Sequence, residues 1–216
     1  MTDDRLKIVT CNALAHVMQA LAGEGASCTV MDIALHLKPE RLREKLQETV
    51  AELEEPGLTI AFGYGLCGRG LEGVCSAKST LVLPRVDDCV GALLGSRARH
   101  RRILADRAGC YFLEPRWLDT ELNIFEQMKK GLDRIPPQRR KGLIKAALHH
   151  YDALVLLAGH GDEGQARQRC QALAEEYDLE LMRRQTDLGL LTRLLRGPWS
   201  EDEFVIAPPG SPIPLF

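Results

Sequence analysis

The sequence predicts an α/β protein: a Rossmann-like, mostly parallel sheet with helices on both faces. Three observations predict it. Short apolar runs alternate with amphipathic helical stretches along nearly the whole chain. The runs Leu58-Thr59-Ile60-Ala61-Phe62 and Ala153-Leu154-Val155-Leu156-Leu157-Ala158 are apolar almost without alternation, as strands covered on two sides must be. Glycine, proline and capping residues punctuate the runs at their ends.

The first strand is read over Leu6 to Thr10. A helix follows with Leu14, Val17, Met18 and Leu21 on one face and Asn12 as its cap. Strand two spans about Cys28 to Ala34. Pro39 opens the next helix, where its missing N–H is harmless, and Leu42, Leu46, Val50 and Leu53 form the buried stripe. Pro56-Gly57 stop it. Strand three covers Leu58 to Phe62 and runs into a loop holding Gly63, Gly65, Gly68, Gly70 and Gly73. Strand four is Thr80 to Val86, and Asp87 reads as the cap of a helix carrying Val90, Leu93, Leu94 and a basic tail from Arg97 to Arg107. Further on come a short strand at Cys110 to Leu113 and a helical region from Thr120 to Tyr151 broken by Pro136-Pro137. A buried strand from Asp152 to Ala158 and a helix from Glu163 to Tyr177 succeed them. A strand over Leu179 to Arg183, a helix capped by Asp187 and a short Phe204-Val205-Ile206 strand in a proline-rich tail complete the pattern.

At 216 residues the chain is long enough for a core that needs no disulfide staples. The pattern reads as one α/β domain over 1–216, with a division into halves near residue 118 as its one internal boundary. A net charge of -2 and a pI near 6.3 give no global attraction to nucleic acid or anionic membrane. No apolar run reaches the roughly 20 residues a membrane span needs. Met1-Thr2-Asp3-Asp4 is acidic with no hydrophobic signal core, so a cytoplasmic location is expected. In that compartment the seven cysteines are expected to be thiols or metal ligands rather than disulfides.

Three of them carry the chemistry. Cys11 ends strand one, Cys67 sits in the glycine loop after strand three, and Cys89 follows strand four within Asp87-Asp88-Cys89. In a parallel sheet all three fall on the carboxyl edge, where open α/β folds bind ligands. There is no CxxC and no ribbon or ferredoxin spacing, so the signal lies in topology. Helix N-termini near Cys11 and Cys89 and loop N–H groups near Cys67 are expected to favour thiolates. His36, at the end of strand two, is the candidate fourth ligand. With it, closed tetrahedral zinc is natural; without it, one position stays open for catalytic zinc or an iron–sulfur cluster. Buried cysteine is equally a small hydrophobe, which is how Cys28, Cys110 and Cys170 are read; Cys75 is ambiguous.

Gly63-x-Gly65-x-x-Gly68 matches a dinucleotide fingerprint, with Arg69 placed to meet a phosphate and Asp87 ending the next strand. Against it, too few residues separate the loop from strand four for a full helix. The basic stretch through Arg97, Arg99, His100, Arg101, Arg102 and Arg107 reads as a solvated helix face, so nucleic acid is not expected as a partner. His149 and His150 read as surface, while His160 ends a strand. Trp117 reads as core cover, and Trp199 as core cover or lid.

Four stretches carry a resemblance. They are Cys11-Asn12-Ala13-Leu14, Leu35-His36-x-x-Pro39-Glu40, Gly63-Tyr64-Gly65-x-Cys67-Gly68, and above all Leu81-Val82-Leu83-Pro84-Arg85-Val86-Asp87-Asp88-Cys89 with Leu94-Gly95-Ser96. The chain resembles domain-of-unknown-function family 1638 over most of its length, less so after about residue 160. The resemblance implies a setting in corrinoid or one-carbon methyl metabolism, with a corrinoid, a corrinoid protein or a methyltransferase as partner. It assigns no reaction. The leading expectation is a metalloprotein of that metabolism, enzyme or cofactor-handling accessory, with iron–sulfur or zinc on Cys11, Cys67, Cys89 and His36. The alternatives are a non-catalytic corrinoid- or methyltransferase-binding module and a nucleotide-dependent enzyme using Gly63, Gly65, Gly68 and Arg69.

Overall fold

The computed structural model describes residues 5–23, 26–120, 122–159 and 163–216; the acidic Met1–Asp4 segment and His160 lie outside the described residues. In chain order the elements are β1 (Leu6–Cys11), α1 (Asn12–Ala22), β2 (Cys28–Met31), a 3-10 helix (Ile33–Leu37), α2 (Pro39–Leu53), β3 (Thr59–Gly63), β4 (Thr80–Pro84) and α3 (Cys89–Leu93). They continue with α4 (Arg97–Asp106), β5 (Cys110–Leu113), a second 3-10 helix (Pro115–Asp119), α5 (Ile124–Gly131), α6 (Pro137–Ala147), β6 (Ala153–Ala158), α7 (Glu163–Tyr177), β7 (Glu180–Gln185), α8 (Gly189–Arg196) and β8 (Phe204–Ala207). The fold is α/β with mostly parallel strands and helices around them.

The strands form two sheets rather than one, because the chain forms two compact units: residues 1–97 with 188–216, and residues 98–187. In the first unit the order is β2-β1-β3-β4-β8, with β1 to β4 parallel and β8 antiparallel at the edge. β1 therefore has β2 on one side and β3 on the other, which makes the gap at their carboxyl ends a topological switch point. The strands bury Ile8, Val9, Ile60, Phe62, Leu81 and Leu83. Helices α1 and α8 pack on each other and over β3, with α8 reaching β4. The apolar stripe of α2 is buried at Leu42, Leu46 and Val50, as its helical spacing requires.

The second unit is a three-stranded parallel sheet, β5-β6-β7. β6 is buried along its whole length and α7 covers it. Phe125 stacks on Tyr177 with ring centroids 4.8 Å apart, and His100 meets Phe112 edge to face at 5.3 Å. The basic tail is partly neutralised: Arg107 donates to Asp152 and Glu180. His149 and His150 are exposed and Trp117 is buried.

Two caps differ from expectation. Cys11, not Asn12, occupies the N-cap position of α1, and Asn12 is already helical. At α3 the cap is Asp88, whose Oδ1 accepts from the Gly91 N–H at 2.9 Å. Asp87 instead takes two hydrogen bonds from Arg97, at 2.9 and 2.7 Å. Either aspartate can cap; the arginine ten residues on draws the first away. Trp199 is no free lid, since its indole N–H donates to the Leu194 carbonyl at 3.0 Å.

Candidate functional site

Three loops are stitched together at the carboxyl edge of the five-stranded sheet. Thr10, fully buried, donates its hydroxyl to the Gly63 carbonyl at 3.1 Å and so ties the end of β1 to the end of β3. Beyond β3 the pairing continues into loop: the Leu66 N–H donates to Val86 O at 2.9 Å and the Cys67 N–H to Asp87 O at 3.0 Å. Cys11 closes β1, Cys67 lies on the loop after β3, and Cys89 is the first residue of α3. Backbone hydrogen bonding thus converges three residues far apart in sequence.

The glycines of this edge are there for fit. A Cβ on Gly63 would meet Thr10 Oγ1 at 2.6 Å and the Met18 side chain at 2.9 Å. One on Gly65 would meet Asp88 backbone atoms at 2.5 Å. After Gly68 the chain makes turns rather than a helix. A pyrophosphate on Gly63, Gly65 and Gly68 would therefore lack the helix dipole that the fingerprint supplies. The backbone at Cys67, Gly68 and Arg69 is left-handed throughout, with φ of 47°, 64° and 75°. For the two non-glycine residues this costs roughly 1–2 kcal/mol each, strain of the sort that accumulates at functional loops.

The three thiols lie close enough to oppose one another's ionisation. Burial pushes the Cys11 thiol from its usual 9.0 up to about 11, with the Asp32 charge adding to it and the Ala13 N–H pulling the other way. Burial raises Cys67 to about 12, helped by the charges of Cys11 and Asp88 and countered by a hydrogen bond at Gly65. Cys89 is raised well above the ordinary value by burial, then by Cys67, Asp88 and Cys11. Backbone N–H groups favour the thiolate at all three positions, as the sequence leads one to expect, but desolvation acts more strongly in the opposite direction.

Tyr64 completes the cluster. Its side chain is 1% exposed, and its hydroxyl is buried with no hydrogen-bond partner among the described residues. Burial raises its pKa far above 10.0, and the nearness of Cys11 and Cys67 adds to the shift. Leaving a buried hydroxyl unsatisfied costs about 1–3 kcal/mol. Sequence reasoning passes over this residue. The one signal for it is a bulky aromatic between two glycines, Gly63-Tyr64-Gly65.

His36 does not end a strand. β2 stops at Met31, and Asp32 caps the 3-10 helix that follows by accepting from the Ala34 N–H. His36 is exposed on that helix with its Nδ1 against the Ile33 carbonyl. Among the described residues no group of three or more His, Cys, Asp or Glu side chains is drawn together as a metal ligand set. Cys110 and Cys170 are buried in the second unit, Cys28 is half-buried in β2, and Cys75 has its backbone clasped on both sides by Gln47. All seven cysteines are free. No helix among the described residues is long and apolar enough to cross a membrane.

A family model described as "Protein of unknown function (DUF1638)" matches residues 30–195. Cys67 and Cys89 fall within the matched span and Cys11 before it. No curated protein and no solved structure matches the chain.

Proposed function

Taking as premise that the chain belongs to the DUF1638 family, we propose that it is a metalloprotein whose Cys11, Cys67 and Cys89 hold a thiophilic centre at the switch point of the five-stranded sheet. The observation that carries this reading is the buried Tyr64 hydroxyl, without a hydrogen-bond partner among the described residues and near Cys11 and Cys67. A metal held there by thiolates would give the phenol a sulfur acceptor. Three soft sulfur donors suit zinc or an iron–sulfur cluster and disfavour magnesium or calcium.

Cys11, Cys67 and Cys89 would supply the ligands, releasing their protons as they bind. Three protein ligands leave one position for an exogenous group, where zinc polarises or activates what it binds and a cluster offers an accessible iron. Tyr64 donates its O–H toward a sulfur or toward the exogenous group. Buried Thr10 and the Gly63 carbonyl fix the distance between the β1 and β3 ends. Asp88 holds the start of α3 and so the direction of Cys89. The wider role, in corrinoid or one-carbon methyl metabolism as enzyme or as cofactor-handling accessory, rests on the family resemblance rather than on the site.

The test is anaerobic purification followed by elemental analysis and absorption spectroscopy. Iron with broad sulfur-to-iron absorption indicates a cluster. A colourless protein with stoichiometric zinc, replaceable by cobalt(II) with thiolate charge-transfer bands, indicates the tetrahedral alternative. Wild type and the Cys11→Ser, Cys67→Ser and Cys89→Ser variants loading alike, or none loading at all, would overturn the reading.

A further inference from the structure

A cleft of about 500 Å³ opens between the first turn of α2, at Pro39, Glu40 and Arg43, and the loop Gly68–Gly73 that follows Cys67. Two arginines line it, and they are not equivalent. Arg69 is committed: its Nε and Nη2 donate to the two oxygens of Glu72 at 2.7 and 3.1 Å. Arg43 has no hydrogen-bonded carboxylate among the described residues. One of its terminal nitrogens donates to the Arg69 carbonyl at 3.1 Å, and its Nε–H is buried without an acceptor. Guanidinium is planar and permanently charged, so a buried N–H on it calls for an acceptor.

The walls add backbone donors alongside the carboxylates of Glu40 and Glu72. The left-handed turn leaves the N–H groups of Gly68 and Arg69 without a hydrogen bond among the described residues. In the first turn of α2 Pro39 has no N–H and the Leu42 N–H donates to the Lys38 carbonyl, so Glu40 and Arg41 supply the two N–H groups without a hydrogen bond among the described residues. Glu72 pairs with Arg69 and its carboxyl pKa is held down by the hydrogen bond from Arg69 and the charges of both Arg69 and Arg43, and exposed Glu40 is a second carboxylate on the wall. The volume falls within the range of small-ligand sites.

We infer that this cleft binds a small oxyanion, with Arg43 and not Arg69 as the residue that reads it. The shared chemistry is a carboxylate, phosphate or sulfonate group on a small molecule, held by an arginine fork and backbone N–H groups. One loop carries both the cleft wall and Cys67. If the thiol centre is as proposed above, its substrate class is therefore an anionic small molecule anchored beside it; anion binding itself does not depend on the metal.

The experiment is titration of the full chain with inorganic phosphate, followed by calorimetry and phosphorus NMR, with parallel arms in acetate and methanesulfonate to rank the anion types. Wild type saturates with at least one of the three. Arg43→Gln weakens that binding by at least ~10-fold, whereas the Arg69→Gln/Glu72→Gln double variant, which removes the ion pair without unmasking a carboxylate, changes it by less than ~3-fold. Arg43→Lys, which keeps the charge and a donor to the Arg69 carbonyl, falls between them and serves if Arg43→Gln is poorly folded. The Cys67→Ser/Cys89→Ser double variant binds as wild type does, which separates this inference from the fate of the metal reading. Absence of saturation with all three anions overturns the inference. So does equal binding by wild type and both Arg43 variants, or a larger loss in the Arg69→Gln/Glu72→Gln double variant than in Arg43→Gln.

Discussion

Gly65 lies against the backbone of Asp88 so closely that a Cβ on it would sit 2.5 Å from the Asp88 Cα. That approach lets Leu66 and Cys67 hydrogen-bond to Val86 and Asp87 and brings the Cys67 loop to the start of α3. Gly65→Ala is therefore expected to push the two loops apart. The cost is about 1–3 kcal/mol, as for other overpacked sites, read as a lower urea midpoint with unchanged far-ultraviolet circular dichroism. Metal loading falls with it. Wild-type stability and loading in the Gly65→Ala variant would show that the two loops need not touch.

Tyr64 predicts a trade of stability against function. Removing its hydroxyl relieves an unsatisfied buried group, so Tyr64→Phe raises the stability of the metal-free chain by about 1–3 kcal/mol. The same change weakens retention of the proposed centre, because nothing then donates toward it. Urea unfolding with and without metal measures both. A lower metal-free stability in Tyr64→Phe than in wild type contradicts the account.

The thiols fix a pH dependence whose sign is definite. Unfolded cysteine ionises near 9.0, whereas Cys11 and Cys67 are raised by burial to about 11 and about 12 in the folded chain and Cys89 is also raised well above 9.0. Between those values the folded state holds protons that the unfolded state has lost, so stability declines as pH rises. It is flat below about 9 and falls through the folded values, by at most roughly 1.4 kcal/mol per pH unit for each thiol in play. The urea midpoint of the metal-free wild type is expected to drop more steeply from pH 8.5 to 10.5 than that of the triple serine variant. Parallel curves would show that the thiols ionise normally. At neutral pH the same three residues react slowly with iodoacetamide.

The two neighbouring aspartates separate by role. Asp88→Ala removes an N-cap and costs about 0.5–2 kcal/mol. Asp88→Asn keeps an acceptor for the Gly91 N–H but removes a charge that raises Cys67 and Cys89, so both thiols alkylate faster at pH 8.5. Asp87→Asn weakens a partly exposed pair with Arg97, which is worth less than about 1 kcal/mol. Thermal melts and peptide mapping of alkylated sites check all three.

The parallel strands were legible because both-face burial writes uninterrupted apolar runs, as at Ile60–Phe62 and Leu154–Leu157. Placing Cys11, Cys67 and Cys89 at or beyond strand ends followed from those same runs. His36 was misplaced because Val30 and Met31 read onward into Asp32-Ile33-Ala34 as strand, whereas the Asp32 cap turns the chain into a 3-10 helix. Asp87 and Asp88 are indistinguishable as caps in sequence; the position of Arg97 decides between them. The orphaned Tyr64 hydroxyl and the hydrogen bond from Arg43 to the Arg69 carbonyl left no local trace, since they depend on groups distant in the chain.

Local periodicity and capping chemistry depend on neighbours a few residues apart, and they were enough to set the α/β class, the buried strands and which cysteines follow them. They could not set the parting of the strands into two sheets, the seat of β1 between β2 and β3, or the burial of Tyr64 near Cys11 and Cys67; those came from the folded chain. Strand order and desolvation are fixed by long-range packing, and the charge state of a thiol follows from what surrounds it rather than from where it stands in the chain.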